Sequence, residues 1–147
     1  MPVFPPVSSF KHNFEIQIRF ADVDVMGHIN NAKYHNYTEL ARIKYLNDVI
    51  NEPVAWNRLG IILGRIEYDF IKPVYFSDSL WVYTRCSHIG NKSFVLDYLL
   101  TVKKGGEDTA VGFSKSILVA YDYDKNASVP VPETWKNCIN QFESSNN

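Results

Sequence analysis

The apolar positions along the chain change period twice. Phe14, Ile16, Ile18 and Phe20 alternate with Glu15, Gln17 and Arg19, which predicts a half-buried strand over 14–20. A polar, turn-rich stretch follows over 22–31 and contains Gly27. Beyond it the spacing becomes three and four, through Tyr34, Tyr37, Leu40, Ala41, Ile43, Tyr45, Leu46, Val49 and Ile50. No proline or glycine interrupts 32–50, so the pattern predicts a helix of about five turns. Its apolar face is wide, which calls for cover on more than one side. Asn30 or Asn31 can cap its start, and Pro53 lies beyond its end.

From Gly60 onward the period returns to two. Ile66, Tyr68 and Phe70 alternate with charged residues; Leu80 to Cys86 and Phe94 to Val102 do the same against mixed neighbours. Val111 to Ala120 is more continuously apolar and reads as a central strand. Gly90-Asn91 and Gly105-Gly106 suit hairpins, so the pairing there is expected to be antiparallel. Pro132 opens a short helix through Trp135 and Phe142. Residues 1–10, with three prolines and two serines, read as a loosely held flexible N-terminal arm, and residues 143–147 as a frayed tail. The order strand, long helix, four strands, short helix points to a single α+β domain over 1–147, an antiparallel sheet curled around one long helix.

Composition narrows the class. A length of 147 residues fits one domain, and 46% hydrophobic content is enough for a core without disulfides or metals. Fifteen Lys and Arg against 16 Asp and Glu leave a formal charge of −1, so no global field favours nucleic acid or an anionic membrane. The apolar runs fall far short of the ~20 residues a spanning helix needs. The N-terminus carries no basic segment followed by an apolar one, so no secretory signal is visible. Cys86 and Cys138 read as two free thiols, which fits a cytoplasmic protein.

The stretch with chemistry is Arg19-Phe20-Ala21-Asp22-Val23-Asp24-Val25-Met26-Gly27-His28-Ile29-Asn30-Asn31, between a strand and a helix N-terminus. A calcium loop fails, because its fifth position is Met26 and its twelfth is Lys33. A phosphatase-type DxD nucleophile needs a parallel α/β core. Zinc would need His28 joined by His12, His35 or His88, which no spacing supports. A purely structural reading stays open, in which the aspartates and asparagines only cap the helix and shape the turn.

The run R-F-A-D-x-D-x-x-G-H-x-N-N-A-x-Y, with Tyr37 and Glu39-Leu40-Ala41-Arg42 after it, resembles the acyl-CoA thioesterases of the hot dog fold, in particular the 4-hydroxybenzoyl-CoA thioesterase-like family. The likeness continues through Tyr68, Pro73, Asp78-Ser79-Leu80, Gly90-Asn91-Lys92-Ser93-Phe94 and Val129-Pro130-Val131-Pro132. It implies a homodimer or a dimer of dimers (a homotetramer), an acyl-CoA substrate bound between subunits, and no cofactor or metal. It places the catalytic carboxylate on Asp24 and the carbonyl-polarising N–H near Asn31. His28 stands where the family often has a histidine, and would orient water or the carbonyl or else hydrogen-bond within the turn.

Physical chemistry agrees with that placement. A helix N-terminus offers unpaired N–H groups and about half a positive charge, suited to a developing oxyanion. Asp24, ionised at neutral pH, would activate water or attack the carbonyl itself. Gly27 and Asn30 are expected at the substrate through backbone approach and side-chain contact, and Tyr34 in the core or the acyl tunnel. Glu39 is read as an ion pair with Arg42 or a pocket residue. Lys92, next to Ser93, matches a basic position of the family motif, which implies a cation for the phosphates of coenzyme A, and reads otherwise as a solvated turn lysine; Gly90 and Asn91 stand where the 4-hydroxybenzoyl-CoA enzyme has arginines, and Arg65, Lys72, Lys103 and Lys104 are further candidates. Asp22 is expected to be structural. The rival readings are a non-catalytic acyl-CoA binding or sensor module and a hydratase or dehydratase on the same fold.

Overall fold

The computed structural model describes residues 3–50 and 58–145, so Pro53, residues 1 and 2 and residues 146 and 147 lie outside the described residues. Strand β1 spans His12–Ile16, helix α1 Lys33–Val49, β2 Leu59–Phe70, β3 Leu80–Ile89, β4 Ser93–Lys104, β5 Glu107–Asp122, β6 Ala127–Ser128 and helix α2 Glu133–Ser144. The sheet order is β1-β3-β4-β5-β2, every pair antiparallel, with the short β6 beside β5. The second hairpin, between β4 and β5, turns on Gly105 and Gly106, both at positive φ (58° and 81°), where side chains are strained.

One helix face meets the sheet. Tyr34, Tyr37, Thr38, Ala41, Tyr45, Leu46 and Val49 are buried at spacings of three and four. They form one core with Leu80, Val82, Leu96, Tyr98 and Leu100 of the sheet and with Trp135 and Ile139 of α2. Leu40 and Ile43 point outward, 51% and 45% exposed, so the wide apolar face is covered by the chain's own sheet on one side only. Among the described residues no helix is long and apolar enough to cross a membrane.

Three expectations need correction. The first strand ends at Ile16 rather than Phe20, because the Asp22 carboxylate accepts bonds from the Arg19 N–H (3.1 Å) and guanidinium (2.9 Å). Those bonds wind residues 20–22 into a 3₁₀ turn and leave Phe20 82% exposed.

The arm is held. Residues 7–9 form a 3₁₀ turn, Phe10 is buried against Tyr83, and the Phe4 ring lies 5.7 Å from that of Phe113. Prolines keep this segment out of the sheet ladder, but its aromatic rings cover the sheet face opposite α1.

The tail is held to Ser145. Glu143 accepts bonds from the Tyr45 hydroxyl (2.6 Å) and the Cys86 N–H (2.9 Å), and Lys11 Nζ donates to the carbonyls of Phe142, Glu143 and Ser145. Cation and helix C-terminus attract each other there.

Candidate active site

The chain between β1 and α1 folds into a small hairpin. Val23 bridges to Ile29, and Asp24 and His28 close a tight turn in which the Asp24 N–H donates to the His28 carbonyl at 3.0 Å. Gly27 donates to the Asp24 carbonyl at 3.0 Å and has φ +88°. No atom lies within 4 Å of where its Cβ would stand, so backbone conformation alone asks for glycine here. His28 bridges to Tyr75, and the Ile29 N–H donates to the Val74 carbonyl, which fixes the hairpin to the segment after β2.

Asp22 is the anchor of this loop. It is 1% exposed and accepts the Tyr37 hydroxyl at 2.7 Å as well as both Arg19 groups. Burial raises its pKa, but the Tyr37 hydroxyl and the two Arg19 contacts outweigh burial and hold it below its ordinary value. The expected structural role of Asp22 therefore has named partners, of which Tyr37 could not be read from spacing.

At the helix start, Asn30 Oδ1 accepts the Ala32 N–H (2.9 Å) and the Asn30 carbonyl accepts the Lys33 N–H (2.9 Å). Asn30, not Asn31, thus occupies the first donors, and the helix begins after Ala32. The Tyr34 N–H turns back to the Asn31 carbonyl at 3.2 Å. The N–H of Asn31 itself has no acceptor among the described residues.

His28, Asn31 and Tyr34 line one depression of about 220 Å³, together with Phe70, Ile71, Lys72 and Pro73. Tyr34 is buried edge-on to Phe70, ring centroids 5.1 Å apart, and burial pushes its phenol up to about 12, so it remains a donor at neutral pH. Phe70 and Lys72 gain their place from the end of β2; only their position before Pro73 hinted at it.

The other sequence candidates lie elsewhere. Asp24 is half-buried and outside the lining of that depression; its Oδ1 accepts the Met26 N–H at 2.9 Å. Gly27 and Asn30 are exposed beside it. The Glu39–Arg42 ion pair is not formed: no ion pair among the described residues joins them, and Glu39 lines two clefts flanking α1. Lys92 and Ser93 sit at the β3–β4 turn, where the Lys92 carbonyl accepts the Ala120 N–H. Gly112, the β5 partner of Phe70, stands eight residues from Ala120 along β5, so that turn lies roughly 27 Å along the strand from the depression. Among the described residues no three His, Cys, Asp or Glu side chains converge as metal ligands.

Comparison with known proteins agrees with this architecture. Residues 18–138 match the thioesterase-like superfamily, and the chain belongs to it. It is 27% identical over 99 residues to the uncharacterized protein YsmA of Bacillus subtilis, covering 67% of each chain. It is 25% identical over 99 residues to the long-chain acyl-CoA thioesterase FadM of Escherichia coli, covering 65% of this chain and 74% of FadM. A thioesterase from Thermus thermophilus, solved with coenzyme A and Zn, superposes with a TM-score of 0.79 at 26% identity, covering 95% and 98% of the two chains. The PA5185 protein of Pseudomonas aeruginosa shares the fold, with a TM-score of 0.82 at 21% identity over 95% and 96%. The fold is the hot dog fold, and the protein is an enzyme of the thioesterase family.

Proposed function

We propose that this member of the thioesterase-like superfamily hydrolyses acyl-CoA thioesters at the N-terminal end of α1. The observation that carries the reading is the Asn31 N–H, which has no acceptor among the described residues while Asn31 lines a depression with His28 and Tyr34. A thioester carbonyl seated there would meet a free donor and the positive end of the helix dipole. Water attacks the carbonyl carbon as Asp24 takes its proton on Oδ2; the carbon–sulfur bond then breaks and Asp24 returns that proton to the departing sulfur, giving a carboxylic acid and the coenzyme A thiol. Asp24 Oδ1 is already held by the Met26 N–H, which fixes the carboxylate and leaves Oδ2 for water. His28 orients water or carbonyl from the wall of the depression.

Lys72 lines the same depression and supplies a cation to the phosphates of coenzyme A. Lys92 and Ser93 reach that group only from a second copy of the chain. A homodimer is supported by the outward Leu40 and Ile43 and by the free edge of β2, where Ile62 and Phe70 are exposed. Free Cys86 and Cys138 fit a reducing, cytoplasmic setting.

The experiment is a thiol-release screen over short, long and aromatic acyl-CoAs, run with the native chain and with Asp24→Asn. Turnover by the native chain and its loss in the variant support the reading. Tight binding of acyl-CoA without thiol release would replace it with a binding module.

A further inference from the structure

Helix α1 and edge strand β2 meet along a seam whose contacts descend one element as they ascend the other. Tyr34 lies against Phe70, the Thr38 hydroxyl bonds the Tyr68 hydroxyl at 2.6 Å, and one turn further Arg42 and Leu46 face Leu63 and Ile61. At this last level the seam opens into a cavity of about 370 Å³ with an apolar wall of Ile43, Leu46, Ile61, Leu63 and Leu118. Glu39 and Asn47 stand at its rim on exposed positions.

Arg42 is the cation of this cavity. Its Nη1 is buried with no acceptor in hydrogen-bond geometry among the described residues, the guanidinium lies beside the Tyr98 hydroxyl, and no described Asp or Glu forms an ion pair with it. Ser114 Oγ, on β5, is likewise buried and lies beside the Tyr68 hydroxyl. The Tyr68 and Tyr98 hydroxyls lie close to the guanidinium; burial raises both phenols and outweighs the Arg42 charge, which lowers them, so both stay protonated. A buried guanidinium nitrogen without an acceptor costs on the order of the desolvation penalty of a charged group. Carboxylates match the guanidinium fork better than any other acceptor.

We propose that this cavity receives the far end of the acyl group and that the preferred substrates carry a carboxylate there, so that the enzyme favours ω-carboxyacyl thioesters over plain acyl thioesters. The inference rests on the reading of the helix N-terminus as the site of hydrolysis. From Lys33 to Arg42 the helix rises about 14 Å, which suits a medium-length acyl group lying along the seam.

The test compares matched pairs, adipoyl-CoA with hexanoyl-CoA and suberoyl-CoA with octanoyl-CoA, by thiol release, and titrates free suberate and octanoate by calorimetry. The native chain is expected to show kcat/KM at least ~10-fold higher for the carboxylated member. Arg42→Met should remove that advantage while leaving the plain member within about two-fold, and Arg42→Lys, which keeps the charge and the fold, should retain part of it. Equal rates for the two members, or an equal loss of both in Arg42→Met and Arg42→Lys, would overturn the inference. So would dissociation of a dimer by Arg42→Met in light scattering, which would assign the guanidinium to the subunit interface. Arg42-dependent binding of suberate without hydrolysis of any thioester would uphold the cavity and sink the hydrolase reading instead.

Discussion

The Tyr37 hydroxyl donates to Asp22 Oδ2 across 2.7 Å, tying the loop that carries Asp24 and His28 to the second turn of α1. The carboxylate is 1% exposed, so this bond holds the loop from inside. Tyr37→Phe removes the donor and leaves a buried carboxylate short of one partner. The expected cost is about 1–3 kcal/mol in urea unfolding, with a larger fractional loss of activity than of stability because the loop loosens. Unchanged urea midpoint and activity would refute the anchoring role.

The same pair sets an acid limit. The folded-state pKa of Asp22 lies below its ordinary value of 3.8, so its stabilisation is present above that value and disappears as pH falls through the folded pKa. Stability should drop on acidification below about pH 4. In Tyr37→Phe the folded pKa rises, so the Asp22 contribution shrinks and its loss is complete at higher pH. Urea midpoints across an acid series, for both chains, check the sign.

Asp24 is expected to matter to chemistry and little to folding, since among the described residues its side chain makes one bond, to the Met26 N–H. Asp24→Asn should lower kcat by at least ~10²-fold with an unchanged unfolding midpoint. A near-native rate would remove the residue from the reaction.

Gly27 has φ +88° with open space around its Cβ position. Gly27→Ala should therefore cost about 1–2 kcal/mol through backbone strain and not through a clash. Gly27→Asn, which tolerates positive φ better, should recover part of it. Equal penalties for the two variants would point to contact in place of conformation.

Glu143 joins α2 to the rest of the molecule through Tyr45 and Cys86. Glu143→Ala orphans a buried hydroxyl and a strand N–H and should cost about 1–3 kcal/mol, whereas Glu143→Gln keeps an acceptor and should cost less. Differential scanning calorimetry on both variants separates the two outcomes.

The outward Leu40 and Ile43 are expected to be covered by a second copy. Light scattering should give a particle at least twice 16.9 kDa, and Ile43→Asp should shift it toward one chain. A native chain that stays at 16.9 kDa at high concentration would contradict the dimer.

Local chemistry determined much of this protein. Alternating apolar residues laid out β3 and β4, a more continuously apolar run laid out β5, the three-four spacing laid out α1 to within a residue of each end, and glycine pairs marked the hairpin between β4 and β5. Those signals are local, because side-chain period follows directly from backbone geometry. The motif from Arg19 to Asn31 also announced its own location at a helix start. Long-range pairing was decided only by the tertiary structure. Tyr37 reaches Asp22, and Lys11 and Glu143 fasten the two ends that read as loose, because contacts separated by many residues leave no periodic trace in sequence. The same holds for Arg42: spacing offered Glu39 as its partner, yet the packing of α1 on the sheet turned the guanidinium inward among tyrosines, where burial and not sequence distance selects what it meets.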